Sequence, residues 1–452
     1  MMMERMTIRE GVRLPSGGAR SRWVRVAGLV LAAGLAPSVD AAGLSADVQK
    51  VIQQAKQSAA GIQDESEQSR FLARVAVADV ARKDFQGALK TAANISDKVL
   101  QLDALWNIAQ AQVKAGALAG ARRTAAAPAG KADRMVVLKA IALAQAETGD
   151  STGAFLTAAM IEYEWTRLET VTGIAVAQAQ AKNVKGALLT AGAMPDEFHR
   201  SDALRRIAAV QAEAKDIEGA RKTVAAIRQP GVKDAALRAI VKALADARKF
   251  SDAQRTIGGM DTLSEKALAL SDLAVAQARA GQAQAALQTV APVHSQLPAS
   301  VRPATMGAIA AEQAKQGDVK GALKMAASFQ SDDERMEALR LIADAQAQAR
   351  DVTGAQQTAA GITDENIRAD AMRRIAAAQA YRGDLKGARQ TAGLIQHDTL
   401  KGRAMMVIAH VQARSGDGAG ALAWAETLAA PLERAYALLG VTNGLLSKTQ
   451  KR

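Results

Sequence analysis

The 452 residues contain no cysteine. That excludes disulfides, thiolate metal sites, a cysteine nucleophile and a lipid-modified cysteine anchor. Aromatic residues make up only 3% of a chain that is 49% hydrophobic. Alanine supplies much of the remainder, which disfavours sheets and favours closely packed helices. Histidine occurs four times, at His199, His294, His397 and His410, in separate contexts. No HExxH, CxxC, glycine-rich phosphate loop or Gly-x-Ser-x-Gly is present. These absences give the expectation of a non-enzyme with no catalytic residues, no cofactor and no metal site.

The N-terminus reads as an export signal. Arg13, Arg20, Arg22 and Arg25 form a basic region, Val26 to Leu35 a short apolar run, and Val39-Asp40-Ala41 before Ala42 a small-residue cleavage site. The run is about ten residues, half of the roughly 20 a bilayer span needs. The expected organisation is therefore a signal at 1–41, a repeat domain at 42–446 and a polar tail at 447–452. The expected compartment is periplasmic or extracellular, with no integral membrane segment after cleavage. The formal net charge is +13, and loss of 1–41, with six Arg against Glu4, Glu10 and Asp40, leaves +10. Such a charge suits an anionic partner; outside the cytoplasm nucleic acid is not expected.

The body of the chain repeats. An anchor falls at Gly87, Gly120, Gly153, Gly186, Gly219, Asp252, Ala285, Gly321, Gly354, Gly387 and Gly420. Every step is 33 residues except one of 36, from Ala285 to Gly321. One step before Gly87 lies Gln54, where Ser58-Ala59-Ala60-Gly61-Ile62 matches Thr358-Ala359-Ala360-Gly361-Ile362. Twelve residues before each anchor stands a large aliphatic, Val75 through Ile408, and three before that another, Leu72 through Met405. This spacing predicts one buried face on a first helix. Gly-Asp pairs such as Gly317-Asp318 end that helix and cap a second, which buries the Ala after each anchor. The seven prolines beyond residue 41 all fall between a second helix and the first turn of the next unit, where proline is tolerated. The fold class predicted is all-α: a right-handed α-solenoid of about 11 helix–turn–helix repeats preceded by a half repeat. The three-residue insertion at 291–303 reads as a hinge or an accommodated loop. A last helix with Arg434, Leu438 and Val441 reads as a terminal cap.

The unit resembles the tetratricopeptide repeat. Ile309-Ala310 in the first helix, Gly317-Asp318 at the turn and the small Ala322 stand at the family's spacings. The period is 33 rather than 34, and Gln313 and Ala326 stand where the family places large residues, so the resemblance is to an Ala-packed variant. The resemblance implies a concave groove lined by first helices. Fourteen and thirteen residues before the anchor, that groove would present Trp106, Lys139, Arg205, Arg206, Arg238, Arg340, Arg373 and Arg374, which vary between units. The Asn-and-Lys set with which some members clamp a peptide C-terminus is absent.

Three polar ladders follow the period. One is basic: Arg134, Arg167, Arg200, Lys233, Lys266, Arg302, Arg335, Arg368, Lys401 and Arg434. It reads as a stripe for an anionic partner, or as local pairing such as Asp196–Arg200 and Asp364–Arg368. A glutamine ladder, Gln112 through Gln412, is expected to bond glutamine to glutamine or to main chain and so hold repeat register. Threonines from Thr91 to Thr391 are expected to bond their own helix four residues back. Together these readings describe an exported scaffold that binds a protein or peptide, acidic by charge preference, through its concave face. The alternative is a basic binder of cell-envelope material or another polyanion; an enzyme ranks third.

Overall fold

The computed structural model describes residues 41–128 and 130–449. Residues 1–40, which hold nearly all of the expected export signal, lie outside the described residues. All regular structure among the described residues is helical. The inner helices are α2 (Glu65–Ala81), α4 (Lys98–Lys114), α6 (Lys131–Glu147), α8 (Glu164–Gln180), α10 (Glu197–Glu213), α12 (Pro230–Asp246), α14 (Leu263–Arg279), α16 (Arg302–Lys315), α18 (Asp332–Gln348), α20 (Glu365–Tyr381), α22 (Asp398–Arg414) and α24 (Pro431–Thr449). The outer helices are α1 (Ala41–Ala59), α3 (Phe85–Ala93), α5 (Leu118–Ala126), α7 (Ser151–Ala159), α9 (Val184–Gly192), α11 (Ile217–Ala225), α13 (Phe250–Gly258), α15 (Ala283–Val290), α17 (Val319–Ala327), α19 (Val352–Ala360), α21 (Leu385–Gly393) and α23 (Gly418–Thr427). The chain is thus an all-α repeat solenoid with the phase that the anchors indicate.

The helix pair is built from three local devices. The first is a left-handed residue four before every anchor. It is glycine at Gly116, Gly149, Gly281, Gly317, Gly383 and Gly416, but Lys83, Lys182, Lys215, Arg248 and Arg350 adopt the same positive φ. The second is the cap: Asp84, Asp150, Asp216, Asp318, Asp351, Asp384 and Asp417 each accept from the anchor amide three residues on. The third is burial of small residues. Ala88, Ala121, Ala154 and their equivalents are fully buried, and so is the aliphatic row Val75, Ile108, Ile141 through Ile408.

The ends of the array meet. Each inner helix packs on the next, and α24 packs on α22, α1 and α2. Val48, Val51 and Ile52 of α1 share one apolar cluster with Phe71 of α2 and with Tyr436, Leu438 and Val441 of α24. The expected terminal cap is therefore a closing helix. The N-terminal half unit supplies an outer helix without an inner one, α24 supplies an inner helix without an outer one, and together they form a twelfth unit.

The closing contacts follow the register of an ordinary boundary between units. Two residues after an anchor, Arg221 reaches Thr256 (3.3 Å), Gln356 reaches Thr391 (3.0 Å) and Arg389 reaches Gln412 (2.7 Å), each in the next unit. At the seam Lys56, two after Gln54, reaches the buried Asp79 of α2 at 2.9 Å. Gly440 and Gly444 bring α24 close to α22, since a methyl at either would collide with the carbonyls of Met406 and His410.

The insertion at 291–303 is packed into the core. Ala291–Gln296 forms a 3-10 turn, Val293 and Leu297 are buried, and both join the cluster around Ile309. The cost is a shortened α16, which begins only at Arg302.

Candidate functional site

The glutamine ladder proves to be the rivet of most units. Gln145 accepts from Thr157 (2.6 Å) and donates to the cap Asp150 (2.9 Å). Gln211 does the same with Thr223 and Asp216, Gln346 with Thr358 and Asp351, and Gln379 with Thr391 and Asp384. These bonds join the inner helix to its own outer helix; they are not the glutamine stacks between units that the sequence suggested. Most of the threonines turn to glutamine, while Thr91, Thr124 and Thr256 bond their own helix four residues back as expected. The rivet explains the anchor glycine, because at Gly219 a methyl would occupy the space of Asp216 and Gln211. Where the unit has Leu244 and Lys249 in those places, the anchor is Asp252.

The basic ladder is largely architectural. Arg167, Arg335, Arg368 and Arg434 donate to the carbonyls of Ile161, Phe329, Ile362 and Leu428, each six residues back. These bonds fasten the connection between units. The local pairs expected from spacing do not form: Asp196 and Asp364 accept from amides at the starts of α10 and α20. Arg200 pairs with Glu197 instead (3.1 Å).

The candidate groove residues lie on the inner helices, and all but one are held in ion pairs. Lys139 reaches Glu169 of the next inner helix at 2.6 Å, and Arg238 reaches Asp272 at 2.6 Å. Arg205 and Arg206 share Asp202 at 3.0 and 3.9 Å. Arg340, only 6% exposed, sits between Glu337 (2.6 Å) and Asp370 (3.5 Å). Arg373 and Arg374 converge on Asp370 at 2.9 and 2.8 Å, and Arg374 also approaches Asp344 at 3.8 Å. Burial alone would raise the Asp370 pKa, but the two guanidinium groups overcome it and pull it down to about 2. Trp106 is half-buried on the same face. This wall is a mosaic of compensated charge, with its ion pairs running across the boundaries between units.

Other displaced carboxyls move the same way. The amide of His199 lowers Asp196, and the side chains of Gln313 and Gln412 lower Asp318 and Asp417. Each is held as a charged acceptor, the opposite of what a general acid requires. Burial and the neighbouring Arg414 push His410 below the usual imidazole range. Among the described residues no three His, Asp or Glu side chains gather as a metal set, and no helix is long and apolar enough to cross a membrane.

The sequence reading passed over one outer feature. Between α9 and α11 runs a groove of about 500 Å³, floored by α10 and lined in part by Leu188, Gly192, Arg200, Lys222, Thr223 and Arg228. A smaller groove of about 260 Å³ lies between α19 and α21. The signal was available: two and three residues after the anchor, only units three and four carry two large apolar residues, Phe155-Leu156 and Leu188-Leu189.

No protein-family model and no curated protein matches the chain. Among solved structures it is similar to Ton1535 from Thermococcus onnurineus NA1, at 19% identity and a TM-score of 0.24, over 66% of this chain and 96% of that one.

Proposed function

We propose that this protein is an exported, tetratricopeptide-like scaffold that holds a protein or peptide partner against the inner face of its ring, without catalysing a reaction. The observation that carries this reading is the closure of the array. Twelve inner helices at the usual packing distance of about 9 Å enclose an opening on the order of 20 Å across. That is wide enough for a helix or an extended chain. Inner-face residues change from unit to unit while the rivets beneath them repeat, which is how a rigid frame presents a specific surface.

The paired wall favours a protein or peptide over a polyanion. Arginines already compensated by Asp272, Asp370 and Glu337 offer little net attraction to a uniform negative chain, but they can exchange partners with a surface of mixed charge. The export reading rests on the basic and apolar pattern of residues 13–42.

Photo-crosslinking in the producing cell tests the proposal. A crosslinker at Trp106 should capture a defined partner, and one at the outward Lys324 should not. Equal capture from both positions, or capture only from Lys324, would overturn the inner-face assignment.

A further inference from the structure

We infer that the outer surface of units three to five carries a second, separate docking site, and that its occupant is an amphipathic peptide helix with one apolar and one acidic face. Three observations lead there independently of the inner face.

The first is where the apolar side chains lie. Thirteen large hydrophobic residues are exposed among the described residues, and eight of them fall between Phe155 and Phe198. Leu156 and Leu189 are 67% and 66% exposed, at a position where neighbouring units place Arg123, Lys222 and Arg255. Trp165, 60% exposed, packs on Phe198 at 5.2 Å, and Phe198 adjoins Glu197 on the groove wall. In a chain so poor in aromatics, an exposed cluster of this kind marks an interaction surface.

The second is the make-up of the groove. At three boundaries the residue two after the anchor bonds to the next unit, as Arg221, Gln356 and Arg389 do. Leu188 cannot make that bond. Thr223 and Gln211 are left as groove floor, and Gly192 and Ala226 leave room above them.

The third is charge. Lys222 and Arg228 line the groove, are exposed, and form no ion pair among the described residues. The one carboxylate on the wall, Glu197, is already engaged by Arg200. An apolar stripe leading into a groove with uncompensated positive charge matches a helix that is apolar on one side and acidic on the other. A flat bilayer could not reach the groove floor. The basic N-terminal segment of this chain is repelled by the lysine and arginine.

Fluorescence anisotropy with two designed helical peptides tests this on the protein beginning at Ala42. The peptides share an apolar face and carry either Glu or Lys on the other. The Glu peptide should bind, and Leu188→Arg or the pair Lys222→Glu, Arg228→Glu should weaken it at least about tenfold while leaving the circular dichroism unchanged. Leu188→Gln is the second route to removing the apolar wall if the arginine variant misfolds, because glutamine already stands at the same place in the unit of Gln356. Equal binding of the Lys peptide, variants that bind as the parent does, or no peptide binding beside binding to anionic phosphatidylglycerol vesicles would each overturn the proposal. Preferred binding of a peptide of residues 1–40, or self-association abolished by Leu188→Arg, would overturn it in favour of those occupants.

Discussion

The ring of Phe71, near the start of the chain, meets the ring of Tyr436, near its end, edge to face at 5.6 Å. Both side chains are fully buried, and the guanidinium of Arg74 lies over the same tyrosine at 5.7 Å. The contact seats the C-terminal half unit, α24, on the first complete unit, and with the packing of α1 on α24 it closes the array into a ring.

Closure can be broken from one side. Tyr436→Ala should lower stability by about 3–5 kcal/mol, as large-to-small changes in a core do. It should also increase the radius of gyration in small-angle scattering, as should removal of residues 41–62. A compact particle in both variants would show that the seam does not hold the ring.

The outer-helix glycines divide into two kinds, the anchors such as Gly219 and those such as Gly192 at a helix end. Gly219→Ala should displace Asp216 from its cap and lower the urea midpoint by the equivalent of about 1–2 kcal/mol. Gly192, whose added methyl would meet nothing within 4 Å, should tolerate alanine without loss. Equal effects of the two substitutions would refute the rivet.

Five turns carry a lysine or arginine in a left-handed conformation. Lys215→Gly should stabilise the protein by about 1 kcal/mol, because the side chain's steric penalty disappears while the turn is kept. Gly149→Lys should cost a similar amount. Thermal midpoints moving in the opposite sense would contradict the strain.

Asp370 ties stability to acid. Its folded pKa of about 2 lies below the ordinary carboxylate value, so its contribution is complete above about pH 4 and is lost as pH falls toward 2. The contribution is on the order of 2 kcal/mol. Asp370→Asn should therefore flatten the stability profile between pH 4 and 2 while destabilising the protein at pH 7. An unchanged acid limb would remove Asp370 from that role.

The period, the helix pair and the aliphatic row were legible in the sequence because each depends on residues within one unit. Val75, Ile108 and Ile141 declare their buried face by spacing alone, and the prolines mark the connections. The left-handed turn was legible only at glycines, since Lys215 and Arg248 carry no such signature. The glutamines were correctly expected to be bonded in the core, but their partners were not legible. Gln145 and Thr157 meet only once the second helix has folded back on the first. The candidate arginines were assigned to the inner helices by position, yet that they are paired depends on which carboxylates neighbouring helices bring to them, as Asp370 shows.

What the sequence by itself determined is the unit, with its two helices, its cap and its small-residue core, because those are short-range consequences of helix periodicity and amide capping. What only the tertiary structure decided is the ring. Closure requires the small rotation added at each boundary to sum to one full turn over twelve units. That sum is carried by packing between units and is written in no single residue.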